Sequence, residues 1–239
     1  MDVSRRLIVV GANNGNLGDQ IVKIAKISKM TRARWVVRGF DVSPDRGIDR
    51  EYLDLNNRRM VVSALEDLSP TDIICTVGVN EAEDEMYDVL RSLEDHYLVN
   101  VIGPMTLLTE ALNIWRRGVE PGQHSGFNFV VVSSNSAHVA RSRSAGYCSS
   151  KAALSMAVRC VARREAGGST SVWGYEPGFM SGTPMSDKTA DQFHGQPLHR
   201  IPGGNSLSAS DVAHQIVRDV SFASDSMNGC MIRIDGGEQ

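Results

Sequence analysis

Leu7-Ile8-Val9-Val10-Gly11-Ala12-Asn13-Asn14-Gly15-Asn16-Leu17-Gly18 passes from a short run of branched apolar residues, through three glycines, into a stretch of helical periodicity. A continuous apolar run followed by a glycine turn and an amphipathic segment is the pattern of a buried parallel strand feeding a helix. Leu17, Ile21, Ile24, Ala25 and Ile27 fall on or near one stripe, which predicts a helix over Gly15 to Lys29. Glycines at such a turn let backbone amides approach a pyrophosphate, and the helix N-terminus adds favourable positive potential. An ordinary glycine-rich turn is the alternative, but the first strand-to-helix turn of a chain is where a nucleotide fingerprint belongs.

The same alternation continues outward from this turn. Apolar runs near Trp35–Phe40, Ile48–Leu53, Asp72–Cys75, Phe127–Val132, Ser171–Tyr175 and Met231–Ile234 join Leu7–Val10 as predicted strands. Helical patterns fall between them, including Glu81 to Arg116 with an interruption around Asn100 to Pro104, and the segment after Tyr147. Gly118 to Gly126 reads as a loop. The predicted fold class is α/β: a Rossmann-type doubly wound parallel sheet of about seven strands with helices on both faces, three layers in all. At 239 residues the expectation is one domain, with no linker, repeat or low-complexity segment.

Composition narrows the function classes. The chain is 41% hydrophobic and 22% charged with a formal net charge of −3, which gives no support to nucleic-acid or membrane-surface binding. No apolar stretch reaches transmembrane length, and no secretory signal is recognisable, so the cytoplasm is the expected compartment. Cys75, Cys148, Cys160 and Cys230 are scattered without Cys-x-x-Cys or zinc-like spacing, so free thiols and no metal are expected.

Asp41 ends the second predicted strand twenty-three residues beyond Gly18. There an acidic side chain can accept hydrogen bonds from adenosine ribose hydroxyls, and its charge would repel a 2′-phosphate, which favours NAD over NADP. Asn14, in place of a basic residue, points the same way, whereas Arg38, Arg46 and Arg50 lie close by in sequence. Further along, Tyr147 and Lys151 stand one helical turn apart, with Ser134 thirteen residues upstream of the tyrosine at the end of an apolar strand. An i, i+4 pair shares one helix face, so the ammonium would favour the phenolate, lowering a pKa that is ordinarily about 10 toward the range of general acid–base work.

In order and spacing, these motifs resemble the short-chain dehydrogenase/reductase family in its compact single-domain branch, over nearly the whole chain. The glycine turn is followed by Asp54-Leu55, similar to the family's Asp beside the adenine, and by Val99-Asn100-Val101-Ile102-Gly103, similar to the helix segment with its catalytic Asn. Ser134, Tyr147 and Lys151 complete a tetrad with Asn100. Pro177-Gly178-Phe179 and Thr183 resemble the segment that holds the nicotinamide amide, and Asn228-Gly229 with Asp235-Gly236-Gly237 resembles the C-terminal strand signature. The resemblance implies a catalytic set of Asn100, Ser134, Tyr147 and Lys151. For the cofactor it implies Gly11, Asn13, Asn14, Gly15, Asn16, Leu17, Gly18, Asp41, Asp54, Leu55, Gly78, Tyr147, Lys151, Pro177, Gly178, Phe179 and Thr183.

The pattern departs from the family in places. Asn16 and Leu17 put two residues between the second and third glycines where the compact branch has one. Cys75-Thr76-Val77-Gly78 replaces the usual Asn-Asn-Ala-Gly, so the bracing of helix and strand there must differ, and Thr183 follows Pro177-Gly178 one residue later than usual. The implied activity is NAD(H)-dependent hydride transfer between nicotinamide and a small alcohol/ketone substrate. Two other readings stand beside it: a 3-oxoacyl thioester reductase using NADPH, and a catalytically silent nucleotide-binding sensor. The resemblance also implies a homo-oligomer, dimer or tetramer, built on the helices around Glu81–Arg116 and Tyr147–Arg164 and on the last strand. Met180 to Asn205 is the expected substrate lid, with Met185, Phe193, His194, Leu198 and His199 lining it. His138, Arg141 and Arg143 are candidates for recognising an acidic substrate group; Glu176, a charge beside Pro177, is without an account at this level.

Overall fold

The computed structural model describes residues 5–13, 15–27, 35–42, 51–83, 85, 88–118, 126–192, 198–222 and 225–238. Its elements in chain order are β1 (Arg5–Val10), α1 (Leu17–Ile27), β2 (Trp35–Asp41), β3 (Glu51–Tyr52), α2 (Arg58–Leu68), β4 (Asp72–Cys75), α3 (Asp88–Tyr97) and α4 (Gly103–Gly118), followed by β5 (Phe127–Val132), α5 (Ala145–Arg164), β6 (Thr170–Pro177), β7 (Met180–Ser181), α6 (Pro184–Gln192), β8 (Leu207–Ser208), α7 (Ala209–Ser221) and β9 (Met231–Ile234). Seven strands form one sheet in the order β3-β2-β1-β4-β5-β6-β9, every pair parallel; β7 and β8 pair separately.

The strands carry apolar residues on both faces because both faces are covered. Leu7 and Val9 of β1 look to one side, with Ile74, Val130, Val132, Trp173 and Tyr175, and pack under α1 and α7. Ile8 and Val10 look to the other, with Ile73, Cys75, Phe127, Phe129 and Val131, and pack under α2, α4 and α5. At the amino ends of the central strands, the buried Asp72 carboxylate accepts from Arg5 Nε (2.7 Å), Trp35 Nε1 (3.0 Å), Thr71 Oγ1 (2.9 Å) and Asn128 Nδ2 (2.8 Å). That knot closes the end of the sheet opposite the crevice. The strand order reverses between β1 and β4, and in open α/β sheets the ligand crevice lies outside the carboxyl ends at this reversal.

The predicted strands are all present within a few residues of their expected bounds, except that β3 is limited to Glu51–Tyr52, and residues 48–50 lie outside the described set. Residues 28 and 29 of the predicted first helix and 119–125 of the predicted loop also lie outside it. The long helix expected from Glu81 needs correction. Residues 81–83 are not helical, and α3 begins at Asp88. The predicted interruption before Pro104 is a π-helical turn over Leu98–Ile102, closed by the Gly103 N–H on the Leu98 carbonyl. A widened turn of this kind accommodates one extra residue inside a helix. Here the turn places Asn100 fully inward.

Candidate active site

A cavity of about 740 Å³ opens at the carboxyl ends of the strands. Of the residues expected to hold a cofactor, Gly11, Asn13, Asn16, Leu17, Asp41, Asp54, Leu55, Gly78, Pro177, Gly178, Phe179 and Thr183 line it, as do Ser134, Tyr147 and Lys151. Gly15, Gly18 and Asn100 are not among the lining residues, and Asn14 lies outside the described residues. Met185 also faces the cavity; Phe193, His194 and the His199 side chain of the expected lid are outside the described set.

At the nucleotide end the glycines have specific steric duties. Gly11 has φ +84°, and a Cβ there would meet the Val77 amide nitrogen at 2.8 Å. A Cβ on Gly18 would meet Thr76 Oγ1 at 2.6 Å and would press on the Gly11 carbonyl, so α1 can approach β1 only with glycine at this place. The extra residue in the turn is absorbed by Asn16. Its Oδ1 accepts from the Asp19 N–H (2.9 Å), capping α1, and its Nδ2 donates to the Gly11 carbonyl (2.9 Å). Thr76, where the family carries asparagine, has its hydroxyl 2.8 Å from the Gly11 carbonyl and 3.1 Å from that of Val10, so β4 braces the turn directly. Asp41 ends β2 at the cavity wall and accepts from the Asn13 N–H at 3.2 Å. A cradle closed to any Cβ, a helix N-terminus and a carboxylate at the cavity wall form a donor and acceptor set that fits a dinucleotide.

At the other end β5 delivers Ser134 and α5 delivers Tyr147 and Lys151. Ser134 Oγ accepts from the Ser136 N–H at 3.1 Å, which caps a short turn and fixes its rotamer. Lys151 is buried and donates from Nζ to the Val132 carbonyl at 3.2 Å, with Nζ 5.9 Å from the Tyr147 ring centroid. A Cβ on Gly78 would sit 2.9 Å from that Nζ, so glycine keeps the lysine's place open. Burial pushes the ammonium down to about 8. The sequence reading expects Lys151 to draw the phenol downward; in the folded site burial dominates instead and pushes Tyr147 above its ordinary value. Hydrogen bonding to Ser134 and the Arg141 charge pull the other way, while Cys148 adds to the rise.

Asn100 does not reach the cavity. Its Oδ1 accepts from the Val79 N–H (2.8 Å), and its Nδ2 donates to the Val79 carbonyl (3.1 Å) and to Ser150 Oγ (3.0 Å), clamping the strand β4 exit against the helix that carries Tyr147. Thr183 Oγ1 accepts from the Ser186 N–H at 3.1 Å and so starts α6 at the cavity edge.

Several residues that the sequence reading did not place complete the site. The Glu83 carboxylate accepts from the Ala145 and Gly146 N–H groups (2.9 and 2.8 Å) and from Ser92 Oγ (2.7 Å), capping α5 just before Tyr147. The His96 ring meets the Tyr147 ring edge-on at 6.1 Å between centroids. Glu176 is buried, accepting from Ser155 Oγ (2.8 Å) and hydrogen-bonded to His138 Nε2 (2.7 Å), so it braces β6 against α5 and the loop after Ser134. Glu238 ties Asn135 and Arg141 together beside Phe179. Among the described residues no group of three or more His, Cys, Asp or Glu side chains could hold a metal ion, no helix is long and apolar enough to cross a membrane, and the four cysteines are free.

Residues 8–193 match the model of the short chain dehydrogenase family. Among solved structures, the chain is similar to a short chain dehydrogenase family protein from Francisella tularensis, at 18% identity over 98% of each chain with a TM-score of 0.80. A putative NAD(P)-dependent gluconate 5-dehydrogenase from Beutenbergia cavernae, with NADP bound at low occupancy, matches at 20% identity over 99% of this chain and 97% of that one, TM-score 0.80. The ligand-free aldohexose dehydrogenase of Thermoplasma acidophilum matches at 18% over 98% and 93%, TM-score 0.76. At these identities the likeness is one of fold. No curated protein matches the chain in sequence.

Proposed function

Because this chain belongs to the short chain dehydrogenase family and is thereby an NAD(P)-dependent oxidoreductase, we propose that it uses NAD(H) to interconvert an alcohol and a ketone, with Tyr147 as general acid and base. The observation that carries this reading is the convergence of Ser134, Tyr147 and Lys151 on one cavity with the glycine turn and Asp41. When bound, the nicotinamide accepts or supplies the hydride. Gly11, Asn13, Asn16 and the α1 N-terminus would hold the pyrophosphate, Asp41 the adenosine ribose, and Pro177 to Phe179 with Thr183 the nicotinamide end.

In oxidation the Tyr147 phenolate takes the hydroxyl proton as the carbinol carbon gives up hydride; in reduction the phenol returns it. Ser134 orients the reacting oxygen and stabilises its developing charge. Lys151 binds nicotinamide ribose hydroxyls, and its cation offsets the phenolate. Asn100 maintains the approach to Lys151 through the π-helical turn and, as in the family, a solvent path for the proton.

NAD is favoured over NADP because Asp41 presents negative charge where a 2′-phosphate would lie, and because Arg38 is engaged by Glu51 across β2 and β3. Assembly into a dimer or tetramer belongs to the same reading, as do a single catalytic domain and a cytoplasmic setting. Titration with NADH and NADPH, followed by fluorescence transfer, tests the cofactor: NADH should bind more tightly, and Asp41→Ala should erase or reverse the preference. Tyr147→Phe should retain NADH binding while lowering turnover of a responsive alcohol by roughly 100-fold or more. Full activity in that variant would overturn the mechanism.

A further inference from the structure

We propose that Arg141 binds a carboxylate on the substrate, so that the alcohol/ketone pair is a hydroxy acid and its oxo acid; this rests on the hydride-transfer reading above. Arg141 lies between Ser134 and Tyr147 in sequence and lines the same cavity. Its guanidinium is pinned from behind. Nε donates to Ser136 Oγ (3.0 Å), while Nη2 donates to Glu238 Oε1 (2.6 Å) and Asn135 Oδ1 (3.3 Å). The second Glu238 oxygen is occupied in turn by Asn135 Nδ2 (2.7 Å) and the Phe179 N–H (3.4 Å).

Nη1 is the nitrogen left over. Its two N–H groups have no partner among the described residues. The Glu238 side chain is wholly buried whereas that of Arg141 is 15% exposed, so although both residues line the cavity the cationic member of the pair is the more open of the two. The buried carboxylate fixes the plane of the guanidinium before any ligand arrives, which removes most of the ordering cost of binding.

Charge along the cavity points the same way. Asp41 and Asp54 line the nucleotide end, whereas Arg141, Lys151 and Arg200 line the wall toward Ser134 and the lid, with the Arg141-bound Glu238 as the acidic residue among them. A planar pair of N–H donors in a cationic, partly dehydrated setting matches a carboxylate, whose two oxygens accept both, better than a lone hydroxyl. One cavity of about 740 Å³ has to take dinucleotide and substrate together, so the acid is small.

Calorimetric titration of the NADH-loaded protein tests this, because reduced cofactor with an alcohol substrate is a dead-end complex and binding is read without turnover. Lactate, 3-hydroxybutyrate and gluconate are each compared with the corresponding primary amide. At least one acid should bind roughly 10–100-fold more tightly than its amide, the range of a charge-assisted hydrogen-bonded pair. Arg141→Met combined with Glu238→Gln removes the cation together with its buried counter-charge, so that no unpaired carboxylate is left to prevent folding; the discrimination should fall to about 2-fold or less. Glu238→Gln alone leaves the guanidinium uncompensated and should widen the preference for the acid.

Equal binding of acids and amides, no binding of either by a protein that binds NADH, or discrimination that survives the double substitution would overturn the carboxylate assignment and leave the hydride-transfer reading standing. Failure to bind NADH or NADPH at all would overturn both.

Discussion

Lys151 opposes folding wherever its ammonium is charged. Its pKa falls from 10.5 in the unfolded chain to about 8 in the fold, through burial first of all. Between those values the unfolded chain binds more protons, so stability rises with pH; below about 8 the penalty is present in full. Lys151→Met should therefore raise the melting temperature at pH 7, by at most about 3 kcal/mol in unfolding free energy, and the advantage should shrink as pH climbs from 8 toward 10. Burial pushes Cys75 up to about 11 and gives the opposite slope above pH 9, which is why the difference between wild type and variant is the quantity to follow. A difference that stays constant from pH 7 to 10 would show that the ammonium is not dehydrated. That Tyr147, Lys151, Ser134 and Asp41 would come to one cavity was legible in the sequence because their placement follows from local spacing: one helical turn, or the end of a strand. Arg141 was legible only as one of three candidates for an acidic substrate group, beside His138 and Arg143, since Glu238, which fixes its plane, lies 97 positions away. Glu176 had no account for the same reason: its partners His138 and Ser155 come from two other segments.

At the scale of elements, the start of α5 depends on a residue outside it. Glu83 approaches from the segment before α3 and satisfies the Ala145 and Gly146 N–H groups, a carboxylate placed at the positive end of a helix. This is also why residues 81–83 leave the helical path that hydrophobic periodicity predicts for them. Burial works to raise the Glu83 pKa, but the Gly146 N–H, the Ser92 hydroxyl, the Ala145 N–H and His96 together outweigh it, and the net shift is downward. A depressed pKa means that the stabilisation is present above the ordinary carboxylate range and is lost as pH falls through the folded value. Glu83→Ala should cost roughly 1–2 kcal/mol at pH 7, speed amide exchange at Ala145 and Gly146, and lower kcat more than it raises KM, because Tyr147 sits on the turn that frays. The cost should vanish in acid; unchanged exchange at these two amides would remove Glu83 from this role. Gly146 admits the close approach of α3, since a Cβ there would lie 2.7 Å from the Ser92 carbonyl and 2.8 Å from His96 Nδ1. The alternation of strands and helices was readable from periodicity alone. The cap was not, because a capping residue supplied from another element leaves no trace in the spacing of the helix that it caps.

For the molecule as a whole, the doubly wound parallel sheet follows from parallel strands joined by covering helices, and so did its prediction; what the pattern does not say is which outer surface stays apolar. The structure leaves Leu90, Leu98, Ile102 and Met156 exposed, on α3, on the π-helical turn and on α5. These segments adjoin, since Gly146 of α5 touches Ser92 and His96 of α3. Apolar side chains exposed on adjoining segments are where an association surface would be sought. The β9 strand adds an open edge, with β6 on one side and no strand on the other among the described residues. A two-fold pairing of the helical face would bury the four side chains against their own copies, as closed symmetric interfaces do. Light scattering at micromolar concentration should then give a multiple of the 26.0 kDa chain mass. Leu98→Asp with Met156→Asp should return the 26.0 kDa species while circular dichroism and NADH binding persist, because neither residue lines the cavity. If the unaltered protein already runs as the single chain, the exposed apolar face has no copy to meet and the assembly reading fails. If the double variant keeps the larger mass, the contact runs instead through the β9 edge, where Arg233→Pro would remove an amide that faces away from β6 and separate the two arrangements.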